Sequence, residues 1–413
     1  MAPEPALASP RRRPGPLRLA LLEPNFTPYL IGTLLSTCGT WFQNIAQTLL
    51  VYRLTGSVFL VGVVNAAQFL GVFVVGPWAG VAADRWDRRR LLLGTQSVAA
   101  AITLILAAAS AADQASIPLI VVVALALGLA QAFSVPAMLS LVPQLVPDDC
   151  VGAAVALNVA TFNTARAIGP VLGAVVVSAF GVSAAFAINA LSFVALACAL
   201  MVVKPSERPG RPDRRRARLR DTVRSVAARS SIARVFVVAT AASFAVDPVT
   251  TLSPEFATEI FERSDTLVGW IVGVFGCGAV VAALFVSGRP LASDRGLGRT
   301  ALALVVSMGA FAVSSALWFA LVAMFAAGCS FIALTTASLT RIQRTTPADE
   351  HGRLMALWAI SFMGSRPIAG IVDGALATPF GVRVTTLLVI IPVAWAGGWL
   401  AVRGDATTPQ PSQ

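Results

Sequence analysis

Charge is what this chain has least of. Only 12% of its 413 residues are Asp, Glu, Lys or Arg, against roughly 25% in soluble domains. There are one lysine, one histidine, two tyrosines and five cysteines. Each scarcity removes a class of function. The cysteines (Cys38, Cys150, Cys198, Cys277 and Cys329) show no Cys-x-x-Cys or other metal spacing, so neither a zinc site nor a disulfide framework is supported. They read as small apolar packing residues. No Gly-rich phosphate loop follows a strand and no nucleophile elbow is present, which argues against an enzyme, an ATP-driven machine or a bound cofactor. Residues 1–24 are rich in Pro and Arg but lack an apolar core followed by a cleavage site. They read as a cytoplasmic tail, not a signal peptide.

What is there is apolar. Hydrophobic residues make up 56% of the chain, and its mean hydropathy is +0.78. Such a chain is an integral membrane protein rather than several soluble domains. Stretches of about 20 apolar residues, the length that crosses a bilayer, centre on 28–52, 57–83, 91–112, 117–141, 152–178, 182–203, 232–258, 265–287, 300–317, 318–340, 353–377 and 381–402. The expected fold is an all-α membrane protein, with twelve transmembrane helices in two pseudo-symmetric six-helix bundles. Its parts are a tail over 1–24, a bundle over 25–203, a basic linker over 204–231, a bundle over 232–403 and a tail over 404–413. Within the linker, 219–229 reads as an amphipathic helix on the inner leaflet.

The net charge of +11 resembles that of a nucleic-acid binder, but its placement does not. All but five of the 31 Lys and Arg fall in the first tail, in the loops at 84–90, 204–234, 288–299 and 341–353, and at Arg403. Arg53, Arg263 and Arg383 occupy the loops between, and Arg166 and Arg366 lie inside spans. This is the positive-inside pattern, with both termini cytoplasmic. Nucleic acid is therefore not a partner; the lipid bilayer is. Arginine in place of lysine, with abundant Ala and Val, fits a GC-rich bacterium and hence a bacterial cytoplasmic membrane.

The densest charge lies in Gly80-Val81-Ala82-Ala83-Asp84-Arg85-Trp86-Asp87-Arg88-Arg89-Arg90, between two apolar runs. Hydrocarbon cannot solvate these groups, so the segment must turn at a membrane surface. The two halves also repeat. At an offset of 200, Pro147, Asp149, Gly152, Ala156, Leu157, Arg166 and Ile168 meet Pro347, Asp349, Gly352, Ala356, Leu357, Arg366 and Ile368. Elsewhere the offset drifts: Val61-Gly62 meets Val268-Gly269, and Asp84-Arg85 meets Asp294-Arg295. A six-span unit duplicated in parallel is the architecture of secondary transporters that rock two halves about a central site.

Segment 80–90 resembles motif A of the major facilitator superfamily, a glycine, three residues, Asp-Arg, then a second glycine and basic residues. Gly80, Asp84, Arg85, Arg88 and Arg89 fit, and Asp87 stands where the second glycine is usual. This form of the motif is similar to that of enterobactin-type siderophore exporters and macrolide efflux proteins. So are Gly39-Thr40-Trp41-Phe42-Gln43, Leu54-Thr55-Gly56-Ser57, Pro136 with Pro143, and Ala165-Arg166 ahead of Gly169-Pro170. The resemblance runs from about residue 25 to 400. It implies that Asp84 lies across from the start of the eleventh helix, near 352–354, where the helix dipole attracts a carboxylate. With Arg85, Arg88 and Arg89, that contact would close the cytoplasmic side. The echo Asp294-Arg295 lacks the triple arginine, so the first half is expected to hold the stronger latch. Gly169, Pro170 and Gly173 resemble motif C of exporters, with Ala165 and Ala174 where its outer glycines would be.

Four charges fall inside spans: Arg166, Asp247, Arg366 and Asp373. Facing lipid at mid-depth they would cost roughly 10–14 kcal/mol together, so a watery cavity or one another is the expected surrounding. Asp247 is the first candidate for a proton-coupling acid, paired in one state with Arg166 or Arg366, and Asp373 the second. Trp41, Gln43, Asn44, Gln47, Gln68, Gln131, Asn158 and Asn163 are expected to line a cavity suited to an amphipathic solute. The reading is a monomeric exporter of a small molecule (antibiotic, drug or siderophore) driven by proton antiport, with a nutrient importer of the same fold as the alternative.

Overall fold

Capping residues and left-handed glycines cut the apolar runs into helices. The computed structural model describes residues 16–206, 219–264, 266–286, 291–346 and 350–403, and among them there is no strand. Gly56, with φ of 61°, ends α1 (Phe26–Thr55) and donates its N–H to the Tyr52 carbonyl at 2.7 Å. Ser57 then caps α2 (Val58–Arg85), its Oγ accepting from the Leu60 amide at 3.4 Å. Next come α3 (Arg88–Ala111) and α4 (Ile117–Leu141). The helical stretch Val151–Val202 breaks at Gly181, with φ of 84° and ψ of 172°, into α5 (151–180) and α6 (182–202).

The second half follows the same plan. α7 begins as Ser230–Ala245, breaks at Asp247-Pro248 and continues through Pro248–Thr251 and Ser253–Glu255 to a wide π turn, Phe256–Ile260. Then follow α8 (Leu267–Val286), α9 (Asp294–Val313) and α10 (Leu317–Thr345). The stretch His351–Val389 breaks at Gly381, with φ of 74° and ψ of 165°. This gives α11 (351–380) and α12, which runs from 382 through Ile391–Arg403. Gly181 and Gly381 stand in Phe180-Gly181-Val182 and Phe380-Gly381-Val382, at the offset of the internal repeat. Side chains with a Cβ avoid that backbone region, so glycine occurs at both equivalent corners. The expected linker helix is also present, over Leu219–Ala228.

By length and composition alone, eight of the described helices could cross a membrane. Two of these run through Gly181 and Gly381 and so contain two spans each. α1, which carries Thr40, Gln43, Asn44 and Gln47, and α2, apolar over Val58–Gly71, bring the number to twelve.

The halves meet along two helix crossings, α2 with α11 and α5 with α8. A Cβ on Gly62 of α2 would collide with the Gly370 carbonyl oxygen of α11. At the other crossing a Cβ on Gly269 of α8 would collide with Ala174 and lie 3.0 Å from the Pro170 carbonyl of α5. Gly370 and Pro170 are repeat equivalents, as are Gly62 and Gly269, so one contact is the image of the other. Small residues let backbones approach this closely. Both crossings lie toward the end of the bundle that carries Gly56, and there the halves are closed on each other.

Gly381→Ala is expected to lower stability by about 1–3 kcal/mol through backbone strain. At Gly94 an added Cβ meets open space, so Gly94→Ala is expected to cost nothing. Thermal unfolding of the purified variants in one detergent compares them.

Candidate functional site

Asp87 occupies the N-cap of α3, its Oδ1 accepting from the Arg90 amide at 2.8 Å. Glycine is tolerated at an N-cap nearly as well as Asp, which is why Asp can replace the motif's second glycine. Arg89 reaches across to α6, where Nε donates to the Leu200 carbonyl at 2.6 Å and an Nη donates to Met201 at 2.5 Å. It thus satisfies carbonyls left open at the end of a helix, within the first bundle and not across to the second. Arg85 is exposed and Arg88 half-buried. The surroundings of Gly80, the Asp84 side chain and residues 351–353 expected opposite them lie outside what is described. In the second half, Asp294 is buried between Arg341 at 2.8 Å and Arg234 at 3.2 Å. There the acid of the echo ties α7, α9 and α10 together.

Part-way along the spans, α5, α7 and α11 bring four ionisable side chains together. Pro248 has no N–H and opens the helix ladder after Asp247, and Asp247 is only 6% exposed. Its Oδ2 accepts from the Thr251 hydroxyl at 2.7 Å. Thr251 in turn accepts from Asn65 Nδ2 of α2 at 3.4 Å. Asp373 of α11 faces Asp247; it is fully buried, and among the described residues its oxygens meet no polar partner other than that carboxyl. Arg366 lies within electrostatic reach of both Asp247 and Arg166.

Among the described residues neither arginine is within ion-pair distance of a carboxylate. Each lies over a ring instead. Arg166 Cζ is 5.6 Å from the Phe331 centroid and Arg366 Cζ 5.7 Å from that of Phe69, where the ring face attracts a cation. In this state the carboxyl neighbour of Asp247 is therefore Asp373. With Trp41, Val249, Val272 and Phe275, the two arginines line a cavity of about 20 Å³, room for a single water.

The amides divide between two tasks. Gln43, expected in the cavity, is instead buried in the first bundle. Its Oε1 accepts from Asn189 at 2.5 Å and Thr103 at 3.2 Å, tying α1 to α6 and α3. A buried amide costs free energy unless it is hydrogen-bonded, and its neighbouring helices supply the partners. Gln47 is likewise buried. Asn44 accepts from Gln68 at 3.4 Å, joining α1 to α2. Gln131 and Asn158 are half-buried, and the side chain of Asn163 lies outside the described residues. A Cβ on Gly169 would stand 2.6 Å from Trp41 Cβ, and one on Gly173 2.9 Å from Phe42 Cα. That motif holds α5 tightly against α1. Sequence reasoning did not connect Thr251 to the site, although it follows Asp247 by one helical turn. Phe69 and Phe331 carried no signal in an apolar background.

A family model described as transmembrane secretion effector matches residues 18–402. The enterobactin exporter EntS of Salmonella typhimurium is 24% identical over 404 residues, covering 91% of this chain and 94% of that protein. The staphyloferrin A transporter of Staphylococcus aureus is 26% identical over 156 residues, 38% of this chain. Macrolide efflux protein A of Streptococcus pyogenes is 24% identical over 163 residues, 39% of this chain. These last two matches span about two fifths of each relative's length. Among solved structures, a bacterial homologue of the human lysosomal transporter Spinster has a TM-score of 0.76 at 13% identity, covering 96% of this chain and all of that one. A bacterial homologue of the iron transporter ferroportin has a TM-score of 0.70 at 12% identity, covering 91% and 98%. These two likenesses show the fold.

Two substitutions check the structural roles. Asp87→Ala is expected to cost about 1 kcal/mol and Asp87→Gly only a few tenths. Gln43→Leu strands Asn189 and Thr103 and is expected to cost about 1–2 kcal/mol. Both are read from unfolding midpoints in detergent.

Proposed function

Because this chain belongs to the transmembrane secretion effector family of major facilitator transporters, we propose that it exports an amphipathic small molecule across the cytoplasmic membrane by proton antiport. The observation that carries this reading is the meeting of Asp247, Asp373, Arg366 and Arg166 at the contact between the halves. Asp247 is the coupling acid. Its neighbours come from both sides of a moving interface, and a carboxyl's hold on a proton follows the charges and hydrogen bonds around it. A group whose surroundings alternate as the halves rock can take a proton on one side and release it on the other.

The rings of Trp41, Phe275, Phe69 and Phe331 around the two arginines suit a solute with a flat apolar body and polar groups. Similarity to an enterobactin exporter over nearly the whole chain, and to a macrolide efflux protein over part of it, supports outward transport of such a molecule. Positive-inside placement puts the basic end in the cytoplasm. The end closed at Gly62–Gly370 is then external, and substrate loads from the inside. Gly80, Asp84, Arg85, Arg88 and Arg89 would form the opposing gate when the cytoplasmic side shuts, each contact contributing about 0.3–1 kcal/mol.

Everted bacterial membrane vesicles carrying the chain are expected to accumulate erythromycin or enterobactin when a proton gradient is imposed. Asp247→Asn is expected to abolish that accumulation while leaving the amount of folded protein in the membrane unchanged. Undiminished accumulation by Asp247→Asn would remove the acid from the mechanism. Gradient-driven uptake into intact cells would replace export by import.

A further inference from the structure

Thr251 and Asn65 connect the buried acid to the closed end, and their geometry gives that connection a purpose. Asp247 and Thr251 belong to α7 of the second half, whereas Asn65 belongs to α2 of the first. The chain Asn65–Thr251–Asp247 therefore crosses the interface that must separate when the Gly56 end opens. Asn65 lies one helical turn from Gly62, whose backbone meets Gly370. A Cβ on Gly370 would stand 3.5 Å from Asp247 Oδ2, and Asp373 follows Gly370 by one turn. The hydrogen bonds thus lie beside one of the two close crossings between the halves.

A threonine hydroxyl has one proton to give and two lone pairs. An ionised Asp247 can only accept, so Thr251 must point its proton at the carboxylate. Its lone pairs are then left for the Asn65 amide. The bond to a carboxylate is charge-assisted, about twice as strong as a neutral one, and it fixes the hydroxyl in the orientation that Asn65 needs. Once Asp247 carries a proton it becomes a donor itself. Thr251 Oγ1 and Asp373 are its neighbouring acceptors, and the Asn65 contact loses its fixed partner. The other groups facing Asp247 are Asp373 and Arg366 of α11, with Arg166 of α5 behind Arg366. Among the described residues none of these three makes a hydrogen bond to α2.

We propose that Asn65 and Thr251 are positioning residues that lock the Gly56 end shut while Asp247 is ionised and the site is empty. This rests on Asp247 being the coupling acid. Antiport requires such a lock, because an empty, deprotonated carrier that reoriented freely would dissipate the gradient without moving solute. Protonation or a bound solute that competes for Asp247 or Thr251 releases it.

Hydrogen exchange of the purified, lipid-reconstituted protein, corrected for the intrinsic pH dependence, reads the lock directly. In the wild type, segments 56–70 and 248–262 are expected to exchange roughly two- to tenfold faster at mildly acidic than at mildly alkaline pH, the equivalent of one net hydrogen bond. Thr251→Val and Asn65→Ala are expected to show the fast exchange at both, and Thr251→Ser to restore the wild-type response. An unchanged response in Thr251→Val and Asn65→Ala, with the response lost in Asp247→Asn, overturns the lock and leaves Asp247 as the acid. A response that survives in Asp247→Asn overturns the reading of Asp247 itself. A wild type without any response overturns the lock.

Discussion

The arrangement of this protein depends on the cost of placing charge inside a bilayer. Arg166, Asp247, Arg366 and Asp373 cannot face hydrocarbon, and only α11 carries both signs, with Arg366 and Asp373 two turns apart. Their common solution is the contact between the halves, where α5, α7 and α11 bring them within electrostatic reach of one another. Aromatic faces complete what carboxylates leave undone, since Phe331 and Phe69 each lie under a guanidinium. Charges that compensate only where the halves meet depend on that contact for their satisfaction inside the membrane.

Duplication supplies the second constraint. The offset of 200 that aligns Arg166 with Arg366 also aligns Gly181 with Gly381 and Pro170 with Gly370. Equivalent positions therefore turn the chain at the same depth and set the same helices against the opposite half. The resulting crossings, α2 on α11 and α5 on α8, are images of each other. The two halves are nonetheless not copies in their polar chemistry. Asp247 is linked through Thr251 to Asn65 of the first half, whereas Asp294 binds two arginines inside the second bundle. Symmetry builds the hinge, and departures from it hold the chemistry.

The charged segment 80–90 divides its labour in a way its sequence only partly displays. Asp87 starts a helix and Arg89 ends another. Both roles are local, since they satisfy backbone groups that a helix terminus leaves open. Segment 80–90 is thus first a joint that fixes α2, α3 and α6 relative to one another.

The helix count, the corners and the identity of the buried charges could be read from the chain, because they follow from local rules. Apolar length gives spans, and a charge inside one is visible wherever it stands. The expected spans end and begin near the corners, at 178–182 and 377–381, where a Phe-Gly-Val triplet stands in each half. Partners could not be read. Gln43 and Asn44 are neighbours in sequence with similar chemistry, yet one ties α1 to α3 and α6 and the other meets α2. The choice depends on which face of α1 each helix covers. Asp247 was legible as a buried acid, but its meeting with Asp373 and its link through Thr251 to Asn65 join residues up to about three hundred positions apart. Sequence determined which groups must be satisfied inside the membrane. Only the packing of twelve helices decided with what, because hydrogen bonds and charge compensation require proximity that no local pattern encodes.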